Sequence, residues 1–152
     1  MKIFKKLGIN PTNINLYYQA FTHTSYSNEN PSFVSYERLE FLGDAVLELL
    51  SSEYIYLTNE TMGEGAMTKL RAAIVCEPSL AQCANAFGLS EFIFLGKGES
   101  AMGGRKRDSI VSDVLEALIG ALYLDGGMEE AKKFVHKYIL IDIENKQVNN
   151  VS

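Results

Sequence analysis

Four carboxylates in the stretch SYERLEFLGDAVLELL (35–50), Glu37, Glu40, Asp44 and Glu48, are spaced i, i+3, i+7 and i+11. On a 3.6-residue helix they fall close to one stripe, while Leu39, Leu42, Val46, Leu49 and Leu50 turn elsewhere. They repel one another unless something positive sits between them, and the plain alternative is a solvated acidic face. A second pair is harder to explain that way. Asp113 and Glu116 are the only charged residues among the fifteen from Ile110 to Leu124. Their neighbours Val111, Val114, Leu115, Leu118, Ile119, Leu122 and Leu124 are apolar almost all round the helix, which marks it as central and buried. Ionised acids left unpartnered in such a setting cost several kcal/mol each. No cation lies inside this helix; Arg105, Lys106 and Arg107 come just before it.

A structural salt bridge could compensate the pair, or a divalent cation held between two acidic helices. Glu40 and Asp44 with Asp113 and Glu116 form an all-oxygen set with no His or Cys, which suits Mg²⁺ or Mn²⁺ and not zinc. Magnesium keeps waters and is completed by phosphate oxygens, so the set points toward phosphoryl chemistry.

The elements that must carry these residues read as helices. Apolar residues recur at helical spacing and alternating runs are short, which predicts an all-α fold with helices near 2–7, 14–22, 35–57, 65–75, 78–87, 108–124 and 128–140. Pro78 suits a first turn, Gly88 a helix end, and Asp108 a cap for the helix that stops before Gly126 and Gly127. Two segments, 25–35 and 96–107, read as non-helical. The second is glycine-rich and ends in cations, but Gly103 and Gly104 are not followed by the Lys and Ser or Thr of a phosphate loop. It reads as a basic loop that touches a nucleic-acid backbone, or as a plain surface connection.

With 152 residues and 47% hydrophobic content, one domain with a substantial core is expected. No apolar run is long enough for a membrane span and the N-terminus lacks a secretory pattern, so a soluble, cytoplasmic protein without membrane association is expected. Cys76 and Cys83 have no partner pair at zinc-ligand spacing and read as buried thiols in a reducing compartment. The net charge of −5 at first argues against a polyanionic partner.

The stretch ERLEFLGDAVLEL (37–49) resembles the signature of the ribonuclease III family, and the similarity extends through FTHTSYSNEN (21–30), GEGAMTKLRAAIV (63–75) and GGRKRDSIVSDVLEALIGALYLDGG (103–127). The resemblance implies an all-α endonuclease domain, over 1–145, that works as a homodimer and cleaves double-stranded RNA with Mg²⁺, with Mn²⁺ as a substitute. The cuts would be staggered, leaving 5′-phosphate and 3′-hydroxyl ends, with a role in ribosomal and other RNA processing. It assigns metal binding to Glu40, Asp44, Asp113 and Glu116, and assistance at the same site to Glu37 and Glu64. All six positions are acidic, which favours an active enzyme over a catalytically silent relative. Glu48 has no catalytic role by this resemblance and reads as a solvated charge. Phe41 and Leu42 match the part of the signature helix that packs across the family's dimer interface; a core role is the alternative.

Taking the six site acids from the 19 leaves 13 against 14 Lys and Arg, so the acidity belongs to the site and the remaining surface is about neutral. Lys69, Arg71, Lys97, Arg105, Lys106 and Arg107 are candidate phosphate contacts, each with a solvated charge as its alternative. His23, beside Thr22, Thr24 and Ser25, reads as a hydrogen-bonded packing residue and not as a general base, and His136 as near the surface. The tail 146–152 is polar and lies where a double-stranded RNA-binding domain would usually follow in bacterial members; without that domain, weak and salt-sensitive RNA binding is expected. The competing readings are a non-catalytic RNA-binding or assembly module of the same fold, and an unrelated phosphohydrolase acting on small esters.

Overall fold

The apolar helix around Asp113 is the axis of the molecule. In the computed structural model, which describes residues 1–141 and 143, Val111, Val114, Leu115, Leu118, Ile119 and Leu122 are all buried. Leu124 is not; at 54% exposed it ends the buried run. In chain order the helices are α1 (Lys2–Leu7), α2 (Ile14–Ala20), α3 (Thr24–Glu29), α4 (Glu37–Thr58), α5 (Glu64–Val75), α6 (Glu77–Ala86), α7 (Lys97–Ala101) and α8 (Asp108–Tyr138). Short 3-10 turns cover Leu89–Phe92 and Gly104–Lys106. The only extended pairing among the described residues is an isolated bridge between Thr22 and Phe94. The all-α expectation holds.

Helix α8 breaks at Gly127, whose φ of 85° and ψ of 177° favour glycine. This is the stop expected before 126–127, and the arm beyond it turns Phe134 and Val135 back into the core. Helix α4 packs along α8 in the most extensive contact between any two elements, with α6 and α2 also against α8 and α5 against α4. Leu39, Val46, Leu47, Leu50 and Ile55 form the buried side of α4.

The two segments expected to be non-helical contain α3 and α7. Helices of 6 and 5 residues are too short to stand on local preference, and these two hold each other. The Glu29 carboxylate accepts from Lys97 N (2.8 Å) at the start of α7, and Ser25 Oγ accepts from Gly96 N (2.8 Å). Arg107, not Asp108, is the N-cap of α8, and Asp108 is its first helical residue. Cys76 is exposed and Cys83 half-buried, against the expectation that both are buried, because Cys76 sits in the junction between α5 and α6. His136 is half-buried, its ring edge-on to Tyr54 at 5.3 Å between centroids. No helix among the described residues is long and apolar enough to cross a membrane. The boundary at 145 and the tail 146–152 lie outside the described residues.

Candidate metal centre

Glu40 and Asp44 stand one turn apart on α4, and Asp113 and Glu116 one turn apart on α8. What brings the two pairs together is a close crossing of backbones. A methyl group at Gly43 would overlap the carbonyl oxygen of Glu116, and one at Gly120 would overlap the carbonyl oxygen of Leu39 and stand 3.2 Å from Gly43 N. The glycines are needed there for closeness, not for an unusual φ. Because Gly43 adjoins Asp44 and Gly120 lies one turn beyond Glu116, the contact falls beside the carboxylates.

The four acids meet as two cross-helix pairs, Glu40 with Asp113 and Asp44 with Glu116, each joined by a side-chain hydrogen bond. A carboxyl-to-carboxyl bond needs a shared proton, so each pair holds one where isolated acids would be ionised. Burial, followed by the hydrogen bond and charge of Asp44 and then the charges of Glu40 and Asp113, pushes Glu116 up to about 9. Burial, followed by Asp113, Glu37 and Asp44, pushes Glu40 up to about 7. Asp113 is also raised, chiefly by burial, with Glu77 adding repulsion while hydrogen bonds from Glu40 and Tyr36 and the charge of His23 draw it back.

Among the described residues, no lysine or arginine forms an ion pair with any of these acids; the four ion pairs present use Glu48, Glu53, Glu99 and Glu130. Nor do any three acidic, His or Cys side chains among the described residues already surround one point closely enough to ligate an ion. The donors nonetheless suit a hard divalent cation: they are all oxygens, they come from two facing helices, and their repulsion has no internal remedy except protonation. Glu37 is exposed, one turn before Glu40, and acts on Glu40 through its charge. Glu64 is set apart from the other five. It opens α5, exposed, at a cleft of about 290 Å³ lined also by Ser52, Ile55, Tyr56, Met67, Thr68 and Arg71.

The candidate phosphate contacts divide in two. Lys69, Lys97 and Lys106 are exposed. Arg71 instead pairs with Glu48 at 3.0 Å and donates to Ser52 Oγ at 3.0 Å, so Glu48 is an ion-pair partner and not a freely solvated charge. Arg105 donates to the carbonyls of Ser90 (3.3 Å) and Ile93, and Arg107 pairs with Glu99 at 3.2 Å. These three arginines are already engaged in holding the fold.

Phe41 is 83% exposed, and Leu49 and Tyr56 lie exposed within about 80° of it around α4. Leu42 packs half-buried against the core. His23 is the N-cap of α3, its Nδ1 accepting from Ser25 N at 3.1 Å, the packing role expected for it.

Tyr36, Gly43, Gly120 and Glu77 belong to the site and were not singled out from the sequence. Gly43 carried a signal, a glycine inside a helix that otherwise pays to include one. Tyr36 carried none, since its part depends on where α8 lies.

Fold and site together define an all-α domain built around an acidic helix pair. A family model described as Ribonuclease-III-like matches residues 13–143, and the chain belongs to that family. It is 48% identical over 152 residues to Ribonuclease 3 of Bacillus licheniformis, covering 99% of this chain, and 52% identical over 149 residues to Ribonuclease 3 of a Geobacillus species, covering 97%. It spans 61% of the length of each of these relatives. Among solved structures it is similar to the nuclease domain of ribonuclease III from Campylobacter jejuni, reported for structural flexibility in a region involved in dimer formation. That match has a TM-score of 0.85 and 41% identity over 91% of this chain and 94% of that one. Dicer from Pichia stipitis matches with a TM-score of 0.67 and 27% identity over 92% of this chain and 60% of that one.

Proposed function

We propose that this chain is a divalent-metal-dependent endoribonuclease domain that hydrolyses phosphodiester bonds in double-stranded RNA, leaving 5′-phosphate and 3′-hydroxyl ends. The observation that carries the reading is the convergence of Glu40, Asp44, Asp113 and Glu116 from α4 and α8, with no cationic side chain among the described residues to neutralise them. These four would hold the cation, Mg²⁺ with Mn²⁺ as a substitute. When bound, such a cation supplies Lewis acidity, neutralising charge on the phosphate and making water a better nucleophile.

The chain's own groups do the rest. Ionised Glu40, Asp113 and Glu116 give up their shared protons to bind, and the buried wall of α8 behind them keeps the donors in place. Glu37 acts from the rim on the polar side of Glu40. Glu64 assists only if the cleft it borders is brought to the same substrate, for which a second copy of the chain is the proposed means. The exposed Phe41, Leu49 and Tyr56 support a homodimer formed through this face of α4, in keeping with the dimer formation named for the Campylobacter jejuni domain. Lys69, Lys97 and Lys106 are the basic side chains best placed to meet an RNA backbone, read by shape more than by sequence. Action on ribosomal and other RNA precursors in the cytoplasm fits this chemistry and the names of the relatives.

Long duplex RNA incubated with Mg²⁺ at low salt, with a chelator control, tests the reading. Short staggered duplexes are expected. RNA bound but intact would favour a silent binding module, and turnover of a small phosphate ester without RNA cleavage would favour a different hydrolase.

A further inference from the structure

Tyr36 lies at the N-cap of α4, immediately before Glu37, and is only 5% exposed. Its backbone N donates to Thr22 O at 2.9 Å, and its own carbonyl accepts from Glu40 N at 2.9 Å, the first turn of the site helix. The ring packs against His23, 5.8 Å between centroids. His23 is itself held: Nδ1 accepts from Ser25 N at 3.1 Å and lies 2.8 Å from Ser25 Oγ, so the neutral ring carries its proton on Nε2. The Tyr36 hydroxyl reaches across to α8 and hydrogen-bonds to Asp113.

A second buried tyrosine shows what a purely structural version of this bond looks like. Tyr17 donates to Asp125 at 2.8 Å, but Asp125 also accepts from the backbone N of Thr12 (3.0 Å) and of Asn13 (2.7 Å), so its oxygens are spent holding the start of α2. Among the described residues, Asp113 has no backbone donor; its side-chain partners are Tyr36 and the carboxyl of Glu40. With one oxygen engaged by the phenol, the other faces the remaining acids.

Resting on the metal-dependent reading above, we infer that Tyr36 is a positioning residue for Asp113: its hydroxyl fixes which carboxylate oxygen turns toward the cation, and His23 fixes the tyrosine. Burial, then the negative charges of Asp113 and Glu40, hold the phenol well above its usual range. It therefore stays protonated and donates at any working pH, and it neither gives up nor takes the reaction's proton. Partners of this kind orient a ligating carboxylate, and their removal weakens metal binding by about 10- to 100-fold.

Tyr36→Phe keeps the ring and removes only the donor. Mg²⁺ binding to the full chain is measured by titration calorimetry without RNA, and the Mg²⁺ dependence of duplex cleavage is measured alongside. Binding about 10- to 100-fold weaker is expected, with the cleavage rate recovering to within several-fold at saturating Mg²⁺ and the metal-free thermal midpoint unchanged. Parent-like Mg²⁺ affinity in Tyr36→Phe, or a rate loss that no Mg²⁺ concentration recovers, would overturn the inference. If Tyr36→Phe does not fold, His23→Ala takes its place, with a smaller loss of Mg²⁺ affinity expected and parent-like affinity counting against the inference. A parent chain that takes up no Mg²⁺ defeats the proposed function itself, which separates that failure from this one.

Discussion

Gly43 on α4 and Glu116 on α8 touch backbone to backbone, so that no side chain larger than hydrogen fits at position 43. The acidic centre depends on this approach, because the carboxylates of two helices meet only where the helix axes come close.

Gly43→Ala is therefore expected to force α4 and α8 apart. Over-packing of this kind costs roughly 1–3 kcal/mol and sometimes more. Chemical denaturation should show the loss, and Mg²⁺ binding by calorimetry should weaken together with it. An alanine variant with parent stability would mean that the helices shift without cost.

Glu116→Gln is expected to lower cleavage by at least about a hundredfold, the upper scale on which altered metal-site groups act. Folding should survive, because a neutral amide replaces an acid that burial and Asp44 already keep protonated to about 9. Circular dichroism and a duplex cleavage assay check both halves. Full activity would remove Glu116 from the site.

The raised acids also make metal-free stability depend on pH in a definite direction. Glu40 and Glu116 rise from an ordinary value of 4.5 to about 7 and about 9 on folding. The folded chain then holds more protons than the unfolded one, so their contribution is full below about 4.5 and is lost as pH climbs through about 7 and then about 9. In chelator, the thermal midpoint should fall across that window; saturating Mg²⁺ should flatten the fall. Calorimetry in buffers of different ionisation enthalpy should detect protons released on Mg²⁺ binding, more of them at pH 6 than at pH 9. A metal-free midpoint that rises over the same range would contradict the shared-proton pairs.

Much of this was legible in the chain. The periodicity around Asp113 and Glu116 placed two acids on a helix with no room for solvation, and the same reasoning put Glu40 and Asp44 opposite them. The glycines at 126 and 127 marked the break in α8. What escaped was whatever depends on distant partners. Helices α3 and α7 are too short to announce themselves and exist because Glu29 and Ser25 meet Lys97 and Gly96. Arg105 looks like a surface cation in sequence, yet it bonds the carbonyls of Ser90 and Ile93. Glu48 and Arg71 lie 23 positions apart, and nothing local pairs them. Tyr36 precedes the signature by one residue, and only the position of α8 makes its hydroxyl meaningful.

Phe41→Asp tests the exposed face of α4. At 83% exposed, Phe41 contributes little to the core, so a folded chain is expected. Sedimentation velocity should show a monomer where the parent is a dimer, since a charge placed at the centre of an apolar contact is left unpaired and desolvated. A dimer that persists would move the interface elsewhere.

The most direct measurement is a crystal of the chain grown or soaked with Mn²⁺, read by anomalous scattering. A peak is expected between α4 and α8, within about 2.5 Å of oxygens from Glu40, Asp44, Asp113 and Glu116, with the carboxyl-to-carboxyl pairs opened around it. Clear density for all four side chains with no peak at saturating Mn²⁺, and the acids still bonded to one another or neutralised by a lysine or arginine, would contradict the metal centre.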